Sequence, residues 1–410
     1  MEVSIILVIL GVLLFFGHFL EQISEKTSIP DILGLVLLGI LAGPVFKLID
    51  PSVFGVYGSL LSTLVLALIL YSSGASLKIE NLKKYIGSSM GIVYVGYFIT
   101  WAVVALLCYV IFEISLLAAL YIGSILGGTS AAVVIVFIKN IKLTDKTETT
   151  LIIESAKTDI FTFIFPYTIL GIMSTGNFSM GDVAVDFVLL FVVSIAVGLL
   201  GAFFWSYLIN KIPAIKETKF STPAAILILY GLTEYFGYNG PLMALIFGIA
   251  LGNISVFDRK YIEKFIPNTH NIVTHKEKDF IGEIIFMLKI YFFVYVGLSI
   301  KVDDINMLLW GALITLVIFA LRIVIVKYVV SKDTPLFDKS ILSMMAPKGL
   351  ATAVMGGMPL AQGYADGEII QSLLYAGLIL SIILTVILFF LADKKITMPF
   401  YKMIYGQPEK

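Results

Sequence analysis

One cysteine, three histidines and two arginines are all that 410 residues contain of these side chains. The lone Cys108 excludes an internal disulfide and any thiolate metal cluster. His18 stands far from His270 and His275, which share one connection, so a zinc site has no support. Neither an HExxH nor a P-loop is present. Nucleotide hydrolysis as an energy source therefore has no basis, and no cofactor, nucleotide or nucleic-acid partner is expected. Charge is scarce as well, at 14% of residues with a net of zero. Only Met1 and Glu2 precede the first apolar run; with no cationic stretch and no small-residue cleavage site, a removable signal peptide is not expected.

Apolar residues fill the chain instead. At 59% apolar composition and a mean hydropathy of +1.01, too little polar material is left to cover a water-soluble surface, and the chain reads as an all-α polytopic membrane protein. A helix crosses the hydrocarbon with about 20 apolar residues. Thirteen such runs lie near 3–22, 30–48, 57–76, 86–111, 115–138, 148–173, 183–208, 221–238, 240–255, 279–300, 306–330, 338–360 and 367–390. Asn239-Gly240-Pro241 separates the eighth from the ninth, which read either as two short helices or as one broken helix. Basic residues in the connections set the orientation. The N-terminus and the even-numbered connections carry only Lys47 and Lys301, whereas the opposite side holds 22 basic residues. The expected topology has the N-terminus outside and the C-terminus in the cytoplasm of a cell (plasma) membrane protein. Lys157, Lys289, Arg322 and Lys348 are left at membrane depth.

The sixth run contains Glu154-Ser155-Ala156-Lys157-Thr158-Asp159, with three charges in one span. Each charge at the bilayer centre costs roughly 2.5–3.5 kcal/mol on insertion scales, and such residues mark ion or proton paths. With Glu154 at 0° and about 100° per residue, Thr158, Thr162, Ser155 and Asp159 form a polar arc between about 40° and about 140°. Their oxygens are hard ligands of the kind a partly dehydrated alkali cation needs. Lys157 falls near about 300°, off that arc but within i,i+3 reach of Glu154. Asp159 has no obvious local partner. Arg322 lies in IFALRIVIV; a guanidinium keeps its proton, so it needs a permanent counter-charge, and Glu154 is the best candidate. The alternative is that Arg322 snorkels to the cytoplasmic face.

Two further runs are interrupted. Gly127-Gly128-Thr129-Ser130 breaks the fifth, and Ala346-Pro347-Lys348-Gly349 breaks the twelfth. Inside a bilayer, unwound backbone is tolerated where it is buried in protein or lines a wet cavity. Aligned on Gly128 and Gly349, the breaks stand 221 residues apart. An odd number of spans then separates them, which inverts one copy relative to the other, the pattern of transporters whose paired broken helices cross at the ion site. Close packing of small residues is the competing reading. Lys348 is placed to neutralise a helix C-terminal end at the crossing; Lys289 reads as structural.

In order and spacing, these segments resemble the monovalent cation:proton antiporter superfamily, in particular the archaeal and bacterial NhaP-type sodium/proton antiporters. The resemblance rests on Ile29 to Gly34 with Gly43-Pro44, Tyr71 to Leu77, Gly127 to Ser130, Glu154 to Asp159, Phe292 to Leu298, Arg322, and Ala346 to Gly349. It implies an inverted-repeat antiporter fold with two unwound crossing helices. A core domain (86–173 and 306–390) would move against dimerisation helices (1–76 and 221–300) joined by a linking helix (183–208), in a homodimer. It also implies that Asp159 binds the cation or the proton, with Ser155, Glu154, Thr129, Ser130 and Thr158 around it, and that Glu154 and Arg322 form the ion pair of electroneutral members. The chain departs from the family's usual Asn-Asp or Asp-Asp in carrying Thr158-Asp159, which keeps an oxygen but lacks the amide.

The expected function is Na⁺ (or Li⁺)/H⁺ antiport by alternating access, with no enzymatic step. Asp159 is neutralised by either ion, so only loaded forms cross, at one H⁺ per Na⁺; Lys157 is the group able to add a second proton. K⁺/H⁺ antiport uses the same oxygen ligands. A channel would need a filter such as TVGYG, which is absent. A sodium-coupled symporter would need a further solute pocket, and an intramembrane hydrolase lacks a His at depth. The topology has a direct check. In a Cys108→Ser background, an impermeant maleimide added outside intact cells should label Lys301→Cys and leave Lys142→Cys unlabelled until the cells are opened.

Overall fold

The computed structural model of the chain describes residues 3–27, 29–49, 55–76, 89–138, 141–175, 180–212, 219–253, 275–300 and 304–406. His270, Leu77, Lys301 and most of the basic 258–278 connection lie outside the described residues. All regular structure among the described residues is helical. In chain order the helices are α1 (Val3–Thr27), α2 (Asp31–Ile40) continued by a π turn (Leu41–Val45), and α3 (Gly55–Ser76). A π turn (Gly91–Val95) then leads into α4 (Gly96–Phe112). After it come α5 (Leu116–Leu126), α6 (Ala131–Ile138), α7 (Asp145–Thr175), α8 (Met180–Lys211), α9 (Ser221–Tyr235), α10 (Gly240–Gly252) and α11 (His275–Leu298). The last are α12 (Ile305–Val329), α13 (Leu336–Met344), α14 (Leu350–Ala361), α15 (Gly367–Asp393) and α16 (Met398–Tyr405).

The described part of every apolar run falls on these helices, with 86–88 and 254–255 outside the described residues, and the local chemistry explains where the helices begin and end. Ser115 caps α5 through the Ala118 N–H at 3.1 Å, and Asp304 caps α12 through Met307 at 3.1 Å. The eighth and ninth runs are separate helices. Asn239 Oδ1 accepts from Leu242 N at 2.7 Å, and Pro241 in the first turn of α10 needs no backbone partner there. Pro44 lies in the π turn that ends α2, where its missing N–H has loosened the ladder. Among the described residues, 6 helices are long and apolar enough to cross a membrane, with shorter apolar helices such as Leu116–Leu126 and Leu350–Ala361 between them. Large apolar side chains face outward along several of them, including Leu106, Val110, Leu200, Leu309 and Leu316. Burial inside the protein does not account for these residues; a lipid surround does.

The described helices group into two compact units. The first comprises Met1–Gly55, Tyr85–Leu170 and Phe293–Lys410, and the second Val56–Lys84 and Gly171–Phe292. In the first unit α4 packs along α5 and α12, while α15 packs along α12, α13, α14, α5 and α2. Two sets of the same make-up are visible there: a long helix (α4, α12), two half-helices (α5–α6, α13–α14) and a second long helix (α7, α15). In the second unit α8 packs on α9 and α10. The first unit takes in Met1–Gly55, which the sequence resemblance assigns to the scaffold.

Close helix approach in both units depends on glycine. A Cβ on Gly248 of α10 would overlap the Tyr71 carbonyl of α3, and one on Gly252 the Ala75 carbonyl. This small-xxx-small pair brings two backbones into contact. In the first unit Gly39 of α2 and Gly297 of α11 face each other the same way. Gly248→Ala and Gly297→Ala should each cost about 1–3 kcal/mol by overpacking. In a detergent thermal-unfolding assay both should melt earlier than the parent, whereas Gly231→Ala, with nothing within 4 Å, should not.

Candidate functional site at the crossing of two helix breaks

Unwinding α5–α6 and α13–α14 frees backbone groups in the protein interior, and their partners define the site. At the first break three consecutive N–H groups each find a different acceptor. Thr129 N donates to Thr158 Oγ1 at 3.1 Å, Ser130 N to the Pro347 carbonyl at 2.9 Å, and Ala131 N to Asp159 Oδ2 at 2.8 Å. The first and third acceptors come from α7, and the second from the other break. The two breaks therefore cross in backbone contact. A Cβ on Gly349 would overlap Ser130 Oγ, and one on Gly128 would overlap the Thr162 methyl, so the crossing tolerates no side chain at either place.

Lys348 closes the opposite end of the first break. Its Nζ donates to the Gly128 carbonyl at 2.6 Å, just beyond the C-terminal end of α5, where the helix dipole is negative. Its backbone N–H donates to Ser381 Oγ at 2.9 Å. Lys348 is 2% exposed, so it does not snorkel. Asp159 stands at the positive N-terminal end of α6, the mirror-image arrangement. It is half-buried, and among the described residues no cationic side chain lies within ion-pair distance of it. Among the described residues, the carboxylate is held by a backbone dipole and has no counter-charge.

Arg322 and Glu154 meet in a bidentate pair, with Nη2 to Oε2 at 2.6 Å and Nη1 against Oε1. Arg322 Nε donates to the Leu342 carbonyl at 2.8 Å in the last turn of α13. One guanidinium thus ties α12 to α7 and to the second break. Glu154 is 2% and Arg322 6% exposed, which leaves the pair desolvated. The snorkelling alternative for Arg322 does not hold.

The remaining candidates separate by what they touch. Thr158 is bound at the first break; its hydroxyl also lies 3.3 Å from the Thr129 carbonyl. Ser155 is buried but donates to the Ile152 carbonyl of its own helix at 3.2 Å, and Thr162 likewise donates to the Asp159 carbonyl at 2.8 Å. Lys157 does not turn to Glu154. Its Nζ approaches Met90 Sδ at 3.4 Å and lies 6.0 Å from the Tyr94 ring centre, because position 157 faces away from the crossing. Gly127 packs against Tyr97, whose hydroxyl donates to the Ser124 carbonyl at 2.7 Å. Two residues of the site were not singled out from sequence. Ser381 and Thr385 on α15 face the second break, Thr385 Oγ1 lying 3.4 Å from the Met344 carbonyl. Hydroxyls at i and i+4 in the apolar run GLILSIILTVIL were the available signal. Among the described residues no group of three His, Cys, Asp or Glu side chains could hold a metal ion. A weakly bound monovalent cation as substrate needs fewer charges than that.

A sequence model of the family described as sodium/hydrogen exchanger, transmembrane, matches residues 6–394. The chain belongs to this family. Sodium/hydrogen exchangers are transporters, not enzymes, and carry no cofactor. The K(+)/H(+) antiporter NhaP2 of Shewanella sp. (strain ANA-3) is 27% identical over 243 residues, covering 57% of this exchanger-family chain and 41% of its own. The matched stretch thus spans less than half the length of that relative. The Na(+)/H(+) antiporter 1 of Methanocaldococcus jannaschii is 23% identical over 374 residues, 87% of this chain and 83% of its own. The solved structure of the sodium proton antiporter MjNhaP1 from that organism at pH 8 matches with a TM-score of 0.71 at 22% identity, covering 99% of this chain and 100% of that one. The fold is therefore the antiporter fold of that structure.

The buried pair has a measurable role in stability. Glu154→Gln leaves Arg322 charged and unpaired, which should cost about 3–5 kcal/mol. Replacing both partners with apolar residues, Glu154→Leu with Arg322→Met, should recover much of that loss. Unfolding midpoints of the two variants, measured in one detergent, check the sign of the difference.

Proposed function

We propose that the chain is a monovalent cation/proton antiporter of the cell membrane, exchanging Na⁺ or Li⁺ for H⁺ at Asp159. The single observation that carries this reading is a half-buried carboxylate at the N-terminus of α6, fixed by the Ala131 N–H and lacking a cationic partner among the described residues. Such a group is neutralised either by a proton or by a cation. Both forms lower the cost of carrying the site through an apolar surround, whereas the empty anion is held back. Exchange follows from that restriction. Carbonyl and hydroxyl oxygens at Thr129, Ser130, Ser155 and Thr158 are the ligands available to a bound cation, with Glu154 beyond them. Arg322 neutralises Glu154 in every state, so a single carboxylate titrates and exchange is electroneutral at one H⁺ per cation.

Alternating access in this proposal comes from the core (86–173 and 306–390) moving against the scaffold (1–76 and 221–300), with 183–208 as the linking helix. The protein would work as a homodimer, N-terminus outside and C-terminus in the cytoplasm. K⁺ is the second reading for the cation, because the Shewanella relative is named a K(+)/H(+) antiporter. Dequenching of a pH dye in proteoliposomes on addition of Na⁺, Li⁺ or K⁺ ranks the three ions. Asp159→Asn should abolish dequenching by every cation while its unfolding midpoint stays near the parent's. Retained cation-driven proton flux in that variant would overturn the assignment of the site. An imposed membrane potential should leave the initial rate unchanged, and clear acceleration would exclude electroneutral exchange.

A further inference from the structure

The short helix α16 lies five residues beyond the end of α15 and is used by nothing in the exchange reading. It is a complete helix. Pro399 lies in its first turn, and Gly406 ends it with a φ of 66°, its N–H returned to the Lys402 carbonyl at 2.9 Å. One face is bound to the protein. Met398 and Tyr401 are buried, Tyr401 and Tyr405 stack at 6.1 Å, and the Tyr405 hydroxyl contacts Ser343 Oγ of α13 and lies 3.3 Å from the Ile323 carbonyl of α12. Lys339 Nζ lies 5.8 Å from the Tyr405 ring centre.

The other face is apolar and uncovered. Met403 is 77% and Phe400 48% exposed, and Ile396, just before the helix, is 60% exposed. Lys394, Lys395 and Lys402 are exposed around them, against one exposed carboxylate among the described residues there, Asp393. Water would not favour an apolar face of this kind left open. An apolar stripe flanked by lysines is what a helix lying in a membrane interface presents. The helix that precedes it, α15, is among those long and apolar enough to cross a bilayer, so its end is where an interface begins. A second copy of the same face would bring like charges together, which disfavours self-association through it.

We propose that α16 is an interfacial anchor that binds anionic phospholipid, with Phe400, Met403 and Ile396 among the upper acyl chains and Lys394, Lys395 and Lys402 on the headgroups. Because Tyr405 reaches the residue next to Arg322 and the helix that Arg322 caps, lipid bound here bears on the frame of the crossing. The inference rests on the membrane placement of the chain and not on which ion is exchanged. A nitroxide at Met403→Cys in a Cys108→Ser background, in the full chain reconstituted in phosphatidylcholine with or without phosphatidylglycerol, tests it by collision with O₂ and with a water-soluble nickel chelate. Expected is a label open to O₂ and shielded from nickel, more so with phosphatidylglycerol. In the variant with Lys394, Lys395 and Lys402 all changed to Gln, the phosphatidylglycerol effect should vanish; each lysine near an anionic surface favours the bound state roughly fivefold. A label at Phe400→Cys repeats the measurement should the first variant fold poorly. Equal nickel access in both lipids would overturn the proposal, as would shielding from both reagents, which marks a protein contact. Neither readout requires transport, so loss of exchange activity leaves the result standing.

Discussion

A helix interrupted inside a membrane exposes backbone N–H and C=O groups where water is scarce, and this chain interrupts two helices at one place. An unmet group there costs several kcal/mol on the order of its desolvation. The rest of the first unit is arranged around meeting that demand. Ser130 N takes the Pro347 carbonyl, so each break supplies part of what the other lacks. Thr158 and Asp159 on α7, Ser381 and Thr385 on α15, and Lys348 from the second break supply most of the remainder. The glycines at 128 and 349 are there because Thr162 with the Thr158 carbonyl leaves no room for a Cβ at the first, and the Ser130 side chain leaves none at the second.

The same demand sorts the buried charges into two kinds. Glu154 and Arg322 satisfy each other's charge, and the guanidinium Nε–H goes to the Leu342 carbonyl, so each already has its counter-charge in place. Lys348 and Asp159 are instead held by the dipoles of half-helices, at opposite ends of the same break. A helix end is a partial charge that does not leave. It offsets a carboxylate without occupying it, which is the condition for an ion to come and go.

Much of this was legible from spacing. The thirteen runs, the two breaks and their inverted relation follow from periodic hydrophobicity and from where Gly and Pro fall, and these are local properties. Arg322 and Glu154 were legible as a pair by elimination, because so few membrane carboxylates exist to choose from. Lys157 was read as off the polar arc though within i,i+3 reach of Glu154, and its Nζ goes to Met90 Sδ instead. Spacing reports which side chains can meet on one helix, but not that a distant guanidinium has already taken the acceptor. Ser381 and Thr385 escaped notice because hydroxyls are common in membrane helices and only the facing backbone distinguishes these two.

Sequence alone determined that the chain is a bundle of membrane helices, that two of them are interrupted, and that charge at depth is concentrated on α7. Those conclusions depend on transfer free energies and backbone chemistry, which act residue by residue. Tertiary structure alone decided which orphan group meets which partner: Asp159 with Ala131, Lys348 with Gly128, Ser130 with Pro347, Tyr405 with Ser343. These are contacts between segments up to 220 residues apart. No local preference encodes them; they exist because packing brings the two breaks to the same depth.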